Sequence, residues 1–290
     1  MDTRPFRSVL YIPGSKDRAL EKATTLPVDA IIFDLEDAVA PDEKANARAT
    51  LKTALTGKDY GARAKIVRIN GFDTEWAEDD LAVIAEARPE AVLLPKVNCA
   101  ADVQALAERL DSREETAQTR IWTMMETPLG MLNAAEIATA SPRMAGFVMG
   151  TNDLAKEIGS RFRADRLAMQ TGLGLCLLAA RACGLVAVDG VYNAFKDEDG
   201  LRAECAQGRD MGFDGKTLIH PAQVAIANED FAPSGDEIEL ARRQIAAFEQ
   251  AEARGQGVAV VDGKIVENLH VVTARQVLAK AEAVDAFAAE

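Results

Sequence analysis

Residues 8–37, SVLYIPGSKDRALEKATTLPVDAIIFDLED, hold two apolar, β-branched runs with a helix-like segment between them. SVLYIP and AIIFDLED are continuous in apolar residues rather than alternating, which suits parallel strands covered on both faces. The unit recurs. KIVRIN from Lys65, AVLLPKV from Ala91, IWTMMETP from Ile121, GFVMGTNDL from Gly146, LVAVDGVYN from Leu185 and DGKTLIHP from Asp214 bring the runs to eight. SKDRALEKATTL, PDEKANARATLKTAL, CAADVQALAERL and LRAECAQGRDMG lie between runs and read as helices. In the second, Pro41 precedes apolar residues at helical spacing from Asp42 to Ala54. The most apolar stretch, Gly172 to Val188, is broken by Arg181 and glycines, so it reads as a helix and then a strand. Strand and helix alternate throughout, the pattern of an α/β protein with a parallel sheet. Eight units is the count of a closed (β/α)₈ TIM barrel. A dinucleotide-binding open sheet would carry GxGxxG after its first strand, where this chain has IPGSKDR. The barrel is the expected fold.

Past Phe231 the pattern changes. PSGDEIELARRQIAAFEQAEARG reads as an amphipathic helix ended by glycine, VAVVDGKIV as a short hairpin turning at Asp-Gly, and VVTARQVLAKAEAVDAF as a last helix. The expected organisation is a TIM-barrel catalytic domain over 1–230 and a C-terminal helix–hairpin–helix extension over 231–290. A lid, an oligomer contact and inert packing are all compatible with that extension.

The 290 residues, 48% apolar and 27% charged, exclude disorder, collagen-like repeats and coiled coil. The net charge of −13, from 33 basic and 46 acidic residues, argues against a nucleic-acid partner. Cys99, Cys176, Cys183 and Cys205 form no CxxC pair, so neither a disulfide framework nor a zinc site is expected. MDTRPFRSVL lacks an apolar signal core, and no uninterrupted apolar stretch reaches the ~20 residues of a membrane span. A cytoplasmic protein with no membrane partner is the expectation.

In a (β/α)₈ barrel the residues ending each strand face one shared pocket. Here those ends carry Asp34, Glu36 and Asp37, then Arg68 and Asn70, then Lys96, Glu126, Gly150-Thr151-Asn152-Asp153, Asp189 and His220. Several carboxylates cannot share a dry pocket while ionised unless a cation compensates. Arg68, Lys96 or a metal could serve. Oxygen ligands without histidine or cysteine suit Mg²⁺ or Mn²⁺ better than zinc. Glu126 and Asp153, on adjacent strands, are the natural pair, as metal ligands or as salt-bridge partners of Arg68 or Lys96. Gly150 to Asp153 could offer backbone amides to a substrate carboxylate, or be a turn capped by Asn152 or Asp153. Lys16, Arg18 and Lys22 make one basic face, either solvated or holding a phosphate. Neither histidine sits in a nucleophile motif, and Lys96 is the one candidate for a Schiff base. Met124, Trp122 and Ile12 are expected to shape the pocket.

These residues resemble a known family. RSVLYIPGSKDRALEKA, DLEDAV followed by P-x-x-K-x-x-A-R, VRINGFDTEW, LLPKV, METPLG, GTNDL, GFDGKTLIHPAQV and the tail VVDGKIVENL, in that order, are similar to the citrate lyase β-subunit-like branch of the HpcH/HpaI aldolase superfamily. That branch includes malyl-CoA and citramalyl-CoA lyases. The resemblance implies a Mg²⁺-dependent carbon–carbon lyase that cleaves a β-hydroxyacyl-CoA thioester into an acyl-CoA and a keto acid. It implies that Glu126 and Asp153 bind the metal and that Arg68 contacts substrate. It further implies that the amides of Gly150, Thr151, Asn152 and Asp153 receive the keto-acid carboxylate. Glu36 and Asp37 correspond to acidic residues near the metal, and Lys16, Arg18 and Lys22 would lie near the CoA phosphates. A homotrimer or hexamer is implied, with the tail closing a neighbour's site.

The tail departs from the family at one point. Lyases of this branch usually carry an aspartate as acid/base in a motif like DGKMID, and here Asp262-Gly263-Lys264-Ile265-Val266-Glu267 puts Glu267 there. Glutamate keeps the carboxylate and extends its reach. Three other functions remain compatible with the sequence. They are a metal-dependent pyruvate aldolase on free hydroxy-keto acids, a β subunit acting on an acyl-carrier thioester within a citrate lyase complex, and a non-catalytic CoA or keto-acid binder.

Overall fold

A computed structural model describes residues 4–289. Among them, eight parallel strands close into a barrel in sequence order: β1 Ser8–Pro13, β2 Ala30–Asp34, β3 Ala64–Arg68, β4 Ala91–Leu94, β5 Arg120–Met125, β6 Met144–Met149, β7 Val186–Asp189 and β8 Gly215–Leu218. β8 returns to β1 through the pairs Ser8–Lys216, Val9–Thr217 and Leu10–Leu218, which closes the ring. This is the expected (β/α)₈ fold.

Both faces of the strands are covered, which is why their sequences are apolar without alternation. One set of side chains, including Val9, Ile32, Ile66, Leu93, Val148 and Val188, fills the barrel interior. The alternate set, such as Leu10, Ile31, Phe33 and Val67, is equally buried on the outside of the sheet. Burial of each is worth about 1.5–3 kcal/mol. Trp122 fills the interior opposite Gly146 in the β5–β6 register. A Cβ at residue 146 would lie 2.6 Å from the indole, so β6 must be bare there. At the other end of the strands, Arg7 Nε and Nη2 donate to both oxygens of fully buried Asp29, at 2.9 and 2.8 Å.

The crossovers follow the sequence reading, with one shift. Pro41–Glu43 forms a 3₁₀ turn, and the α-helix runs Lys44–Gly57 rather than from Asp42. Proline fixes its own φ at the first position, and the tighter turn leads into the helix. The segment from Gly172 to Val188 divides as expected, into the helix Gln170–Cys183 and β7.

The chain separates into two compact units. One spans Phe6–Asn228; the other consists of the residues from Glu229 onward with Arg4 and Pro5. The second unit contains the helix Gly235–Glu252, strands β9 Ala259–Val261 and β10 Lys264–Val266, and the helix Asn268–Ala289. Ser234 Oγ accepts from the Glu237 amide and Glu237 Oε2 accepts from the Ser234 amide, a reciprocal cap that starts the first helix. The hairpin turns at Asp262 and Gly263, with φ of 48° and 74°. Two successive positive φ values match the right-handed twist of paired strands. Ala251, Ala259, Val261, Val266 and Val271 form this unit's own apolar cluster. No helix among the described residues is long and apolar enough to cross a membrane.

Candidate active site

The strand ends gather opposite charges in pairs. Asp34, at the end of β2, is fully buried. It accepts from Arg68 Nε at 2.8 Å and Nη2 at 2.6 Å, and from the amides of Glu36 and Ala38. Arg68 Nη1 lies 2.8 Å from Glu36 Oε2, a charge contact too far off line to be a hydrogen bond, so this buried oxygen keeps spare acceptor capacity. Glu36 Oε1 accepts from Lys96 Nζ at 2.8 Å. Burial opposes the Arg68 charge, but Asp34 overrides it and holds the guanidinium above its ordinary pKa. Lys96 is likewise kept protonated by its hydrogen bond to Glu36 and that residue's charge, against partial desolvation.

Both cations that could have neutralised Glu126 and Asp153 are thus engaged with Asp34 and Glu36. Glu126, 1% exposed, accepts the Lys96 amide at 2.8 Å and no other donor among the described residues. Asp153 is half-buried in the first turn of the helix Thr151–Glu157, and its carboxylate makes no hydrogen bond or ion pair among the described residues. Desolvation, reinforced by the carboxylates of Glu36 and Asp153, pushes Glu126 up to about 7, against the Lys96 amide and the Arg68 charge. Of the two readings of this pair, the salt bridge to Arg68 or Lys96 is the one the geometry does not contain.

The donor set fits a hard cation. The carboxylate of Asp153 is near enough to Glu126 to act on it electrostatically, and neither is ion-paired among the described residues. No group of three or more His, Cys, Asp or Glu capable of holding a metal occurs among those residues, so the protein's own share would be these two. One or two carboxylates, with water and substrate oxygens completing the shell, is the usual protein share of a Mg²⁺ site.

Gly150 to Asp153 form the opening of the helix Thr151–Glu157, whose N-cap is Gly150 without any side-chain cap. The capped-turn reading therefore falls: Asn152 instead exchanges hydrogen bonds with Asn193, at 2.8 and 3.2 Å. The Gly150 amide is taken, donating to the Met125 carbonyl at 3.0 Å, and among the described residues the amides of Thr151, Asn152 and Asp153 are left as free donors of the first turn. Gly150 is dictated by packing, since a Cβ there would overlap Glu126 Cβ and sit 2.5 Å from its Oε2.

Other expected residues have different employment. Asp189 belongs to a fully buried network with Arg166 at 2.7 Å and Lys216 at 3.1 Å, and Lys216 also reaches Glu204 at 2.7 Å. Burial raises the pKa of Asp189, but the two cations outweigh it and keep it below its ordinary value. His220 Nδ1 accepts from the Ala222 amide, and its ring stacks on Phe195. Asp37, Lys16, Arg18 and Lys22 are exposed, the last two on the helix Asp17–Ala23. Glu267 follows β10 in the C-terminal unit, exposed, at the start of the last helix. Ile12 does not shape the interior: Val9 and Tyr11 face inward from β1, as the two-residue period requires.

The sequence reading missed two residues of the site. Lys44 Nζ is buried and donates to the carbonyls of Leu35 and Glu36 and to Asn70 Oδ1, each at 2.7 Å. It fixes the backbone that carries Glu36. Asn70, held in turn by Asp80, is thereby structural. Tyr11 lies under Arg68, with the guanidinium carbon 5.0 Å from the ring centroid. The lysine of P-x-x-K and the tyrosine within the first apolar run were visible, but nothing local signalled their direction.

A family model described as HpcH/HpaI aldolase/citrate lyase matches residues 7–221. The chain is 71% identical over 285 residues to a (3S)-malyl-CoA thioesterase of Cereibacter sphaeroides, covering 98% of each. It is 34% identical to an L-malyl-CoA/β-methylmalyl-CoA lyase of the same species, covering 98% of this chain and 96% of that protein. A crystal structure of the protein CitE from Mycobacterium tuberculosis, in complex with magnesium, acetoacetate and coenzyme A, superposes with a TM-score of 0.82. The two are 30% identical, over 97% of this chain and 99% of that one.

Proposed function

The chain belongs to the HpcH/HpaI aldolase/citrate lyase family, and from that premise we propose that it is a Mg²⁺-dependent hydrolase of a short hydroxyacyl-CoA thioester such as (3S)-malyl-CoA. The observation that carries this reading is the 71% identity, end to end, with (3S)-malyl-CoA thioesterases. It refines the lyase that the motifs imply. Hydrolysis adds water oxygen to the thioester carbonyl carbon and breaks the C–S bond, giving the free acid and CoA. Lyase action would break the bond between C2 and C3 and give acetyl-CoA and glyoxylate.

Glu126 and Asp153 would hold Mg²⁺, or Mn²⁺ in its place. The bound cation would polarise a substrate oxygen and neutralise charge that the two carboxylates cannot share. Arg68, fixed on Asp34, faces developing negative charge. The amides of Thr151, Asn152 and Asp153 would receive a substrate carboxylate, with Gly150, whose own amide is bonded to the Met125 carbonyl, keeping the approach to them clear. Glu36 and Asp37 tune the field around the metal, Glu36 by holding Arg68 and Lys96 in place. Lys16, Arg18 and Lys22 are assigned to the CoA phosphates. Glu267 is assigned the acid/base role, with the C-terminal unit from about residue 231 acting as lid and oligomer contact. A cytoplasmic homotrimer or hexamer completes the proposal.

Carbon–carbon cleavage is retained as a second reading because the METPLG and GTNDL motifs are those that the resemblance associates with lyases. One experiment separates them. The protein is incubated with (3S)-malyl-CoA and Mg²⁺, and free thiol, malate and glyoxylate are measured together. Equal thiol and malate without glyoxylate is the expected result. Glyoxylate with acetyl-CoA and no free thiol would replace the hydrolase by the lyase.

A further inference from the structure

β1 turns Tyr11 into the barrel above Val9, and the side chain crosses to the far side. Its Oη lies 3.3 Å from Sδ of Met124 on β5, four strands away in the ring of eight. The ring supports the Arg68 guanidinium from below. Arg68, Asp34, Glu126 and Glu36 all act on the phenol electrostatically. Met124 precedes Glu126 by two residues, on the same inward period of β5, and a Cβ at Gly150 would lie 3.1 Å from Met124 Cε. The phenol therefore floors the space bounded by Arg68, Glu126 and Gly150. Unlike the buried Val9, Ile32, Ile66 and Met124 of the interior cluster, Tyr11 is only partly buried.

A floor does not require a hydroxyl. Phenylalanine would fill the same volume and stack under Arg68 equally well. The Tyr11 hydroxyl has only a thioether as partner among the described residues, and thioether sulfur is a weak acceptor. Bringing a hydroxyl into this interior without a good partner is unfavourable unless something else accepts from it. Desolvation raises its pKa further above neutrality, so the group keeps its proton and can donate it.

We propose that Tyr11 is a substrate-binding residue whose hydroxyl donates a hydrogen bond to an oxygen of the acyl group lodged between Arg68 and Glu126. This rests on the reading of the barrel mouth as a site for a short hydroxyacyl thioester. The residue selects for acyl chains that bear an acceptor oxygen at that depth. A chain with a methyl group there leaves the hydroxyl on the sulfur alone.

The test compares Tyr11→Phe and Tyr11→Leu with the unaltered protein. Turnover of (3S)-malyl-CoA with Mg²⁺, calorimetric affinity for (3S)-malate, affinity for Mg²⁺ alone and melting temperature are measured. Tyr11→Phe is expected to lower kcat/KM and malate affinity about ten- to a hundredfold, with Mg²⁺ affinity and melting temperature unchanged. Tyr11→Leu, which also removes the ring from under Arg68, is expected to fall further. Tyr11→Phe with full kcat/KM and full malate affinity overturns the inference. So does a loss matched by weaker Mg²⁺ binding or a lower melting temperature, which would make Tyr11 a support for Arg68. An unaltered protein that neither turns over malyl-CoA nor binds malate overturns the parent reading, and this inference with it.

Discussion

Gly150 lies against Glu126 so closely that a methyl group on its Cα would occupy the space of the glutamate side chain, 2.5 Å from Oε2. The obstructing atoms include Cβ of a buried residue, which cannot swing aside. Gly150→Ala must therefore displace either the carboxylate or the start of the helix Thr151–Glu157. A shift of about 1 Å at a positioned group costs on the order of a hundredfold in rate. Turnover is expected to fall at least that far, with Mg²⁺ affinity reduced by calorimetry and stability lowered by about 1–3 kcal/mol. Full activity in Gly150→Ala would show that Glu126 tolerates movement and is not a ligand.

The raised pKa of Glu126 makes the metal-free protein sensitive to pH. A carboxyl group that titrates at about 7 when folded, against 4.5 ordinarily, favours the native state while protonated. That contribution is complete below about pH 4.5 and is lost as pH rises through about 7, on the order of 3 kcal/mol. Urea unfolding in EDTA is expected to show this decline, and Glu126→Gln to abolish it. Above pH 7 added Mg²⁺ should restore stability, because it binds the ionised pair in the folded state. A decline that persists in Glu126→Gln would assign the titration elsewhere.

Lys44 satisfies three buried acceptors at once, the carbonyls of Leu35 and Glu36 and Asn70 Oδ1. Lys44→Met preserves the stem and strands all three. Each unsatisfied buried group costs about 1–3 kcal/mol, and neighbouring losses overlap. A net loss of about 3 kcal/mol in urea denaturation is expected. Less than about 1 kcal/mol would mean that water replaces the ammonium group.

The barrel was legible in the sequence because the signal is local: eight continuous apolar runs, nearly every one ending in a polar or charged residue, separated by helical periodicity. The pairing of charges at their ends was not. Asp34 and Arg68 are adjacent only because β2 and β3 are paired in register, and Tyr11 meets Met124 across 113 residues of chain. A list of strand-end carboxylates cannot say which ones already have cations. Asp34 and Asp189 do, and Glu126 and Asp153 do not. Arg166 and Lys216, which neutralise Asp189, come from a loop and from within a strand, where no periodicity marks a charge as buried.

Asp189 should reveal itself in acid. Its lowered pKa stabilises the fold above the ordinary aspartate value of 3.8, and that contribution is lost as pH falls below it. Asp189→Asn is expected to flatten the acid limb of the stability curve and to cost about 3–5 kcal/mol at neutral pH, because Lys216 and Arg166 stay buried without their shared anion. Chemical denaturation between pH 3 and pH 7 checks both effects. Equal stability of the variant at pH 7 would mean that Glu204 alone can satisfy the two cations.

Glu267 tests the assignment of the C-terminal unit. Its side chain is exposed, and its engagements are through the backbone: the amide donates to His270 Nδ1 at 3.0 Å and the carbonyl accepts from the amides of His270 and Val271 at 2.9 and 3.3 Å. Glu267→Gln therefore leaves the local fold intact and removes only the titrating oxygen. A general acid or base contributes about a hundred- to ten-thousandfold, so malyl-CoA hydrolysis should fall by at least a hundredfold with melting temperature and Mg²⁺ affinity unchanged. Glu267→Asp keeps the chemistry and draws the carboxylate back by one methylene, toward the residue usual in the lyases this chain resembles. It should retain more activity than Glu267→Gln. Product analysis should show glyoxylate rising relative to malate, if reach is what separates hydrolysis from carbon–carbon cleavage. Wild-type rates in Glu267→Gln would remove the residue from the chemistry altogether, leaving the barrel carboxylates to supply the base.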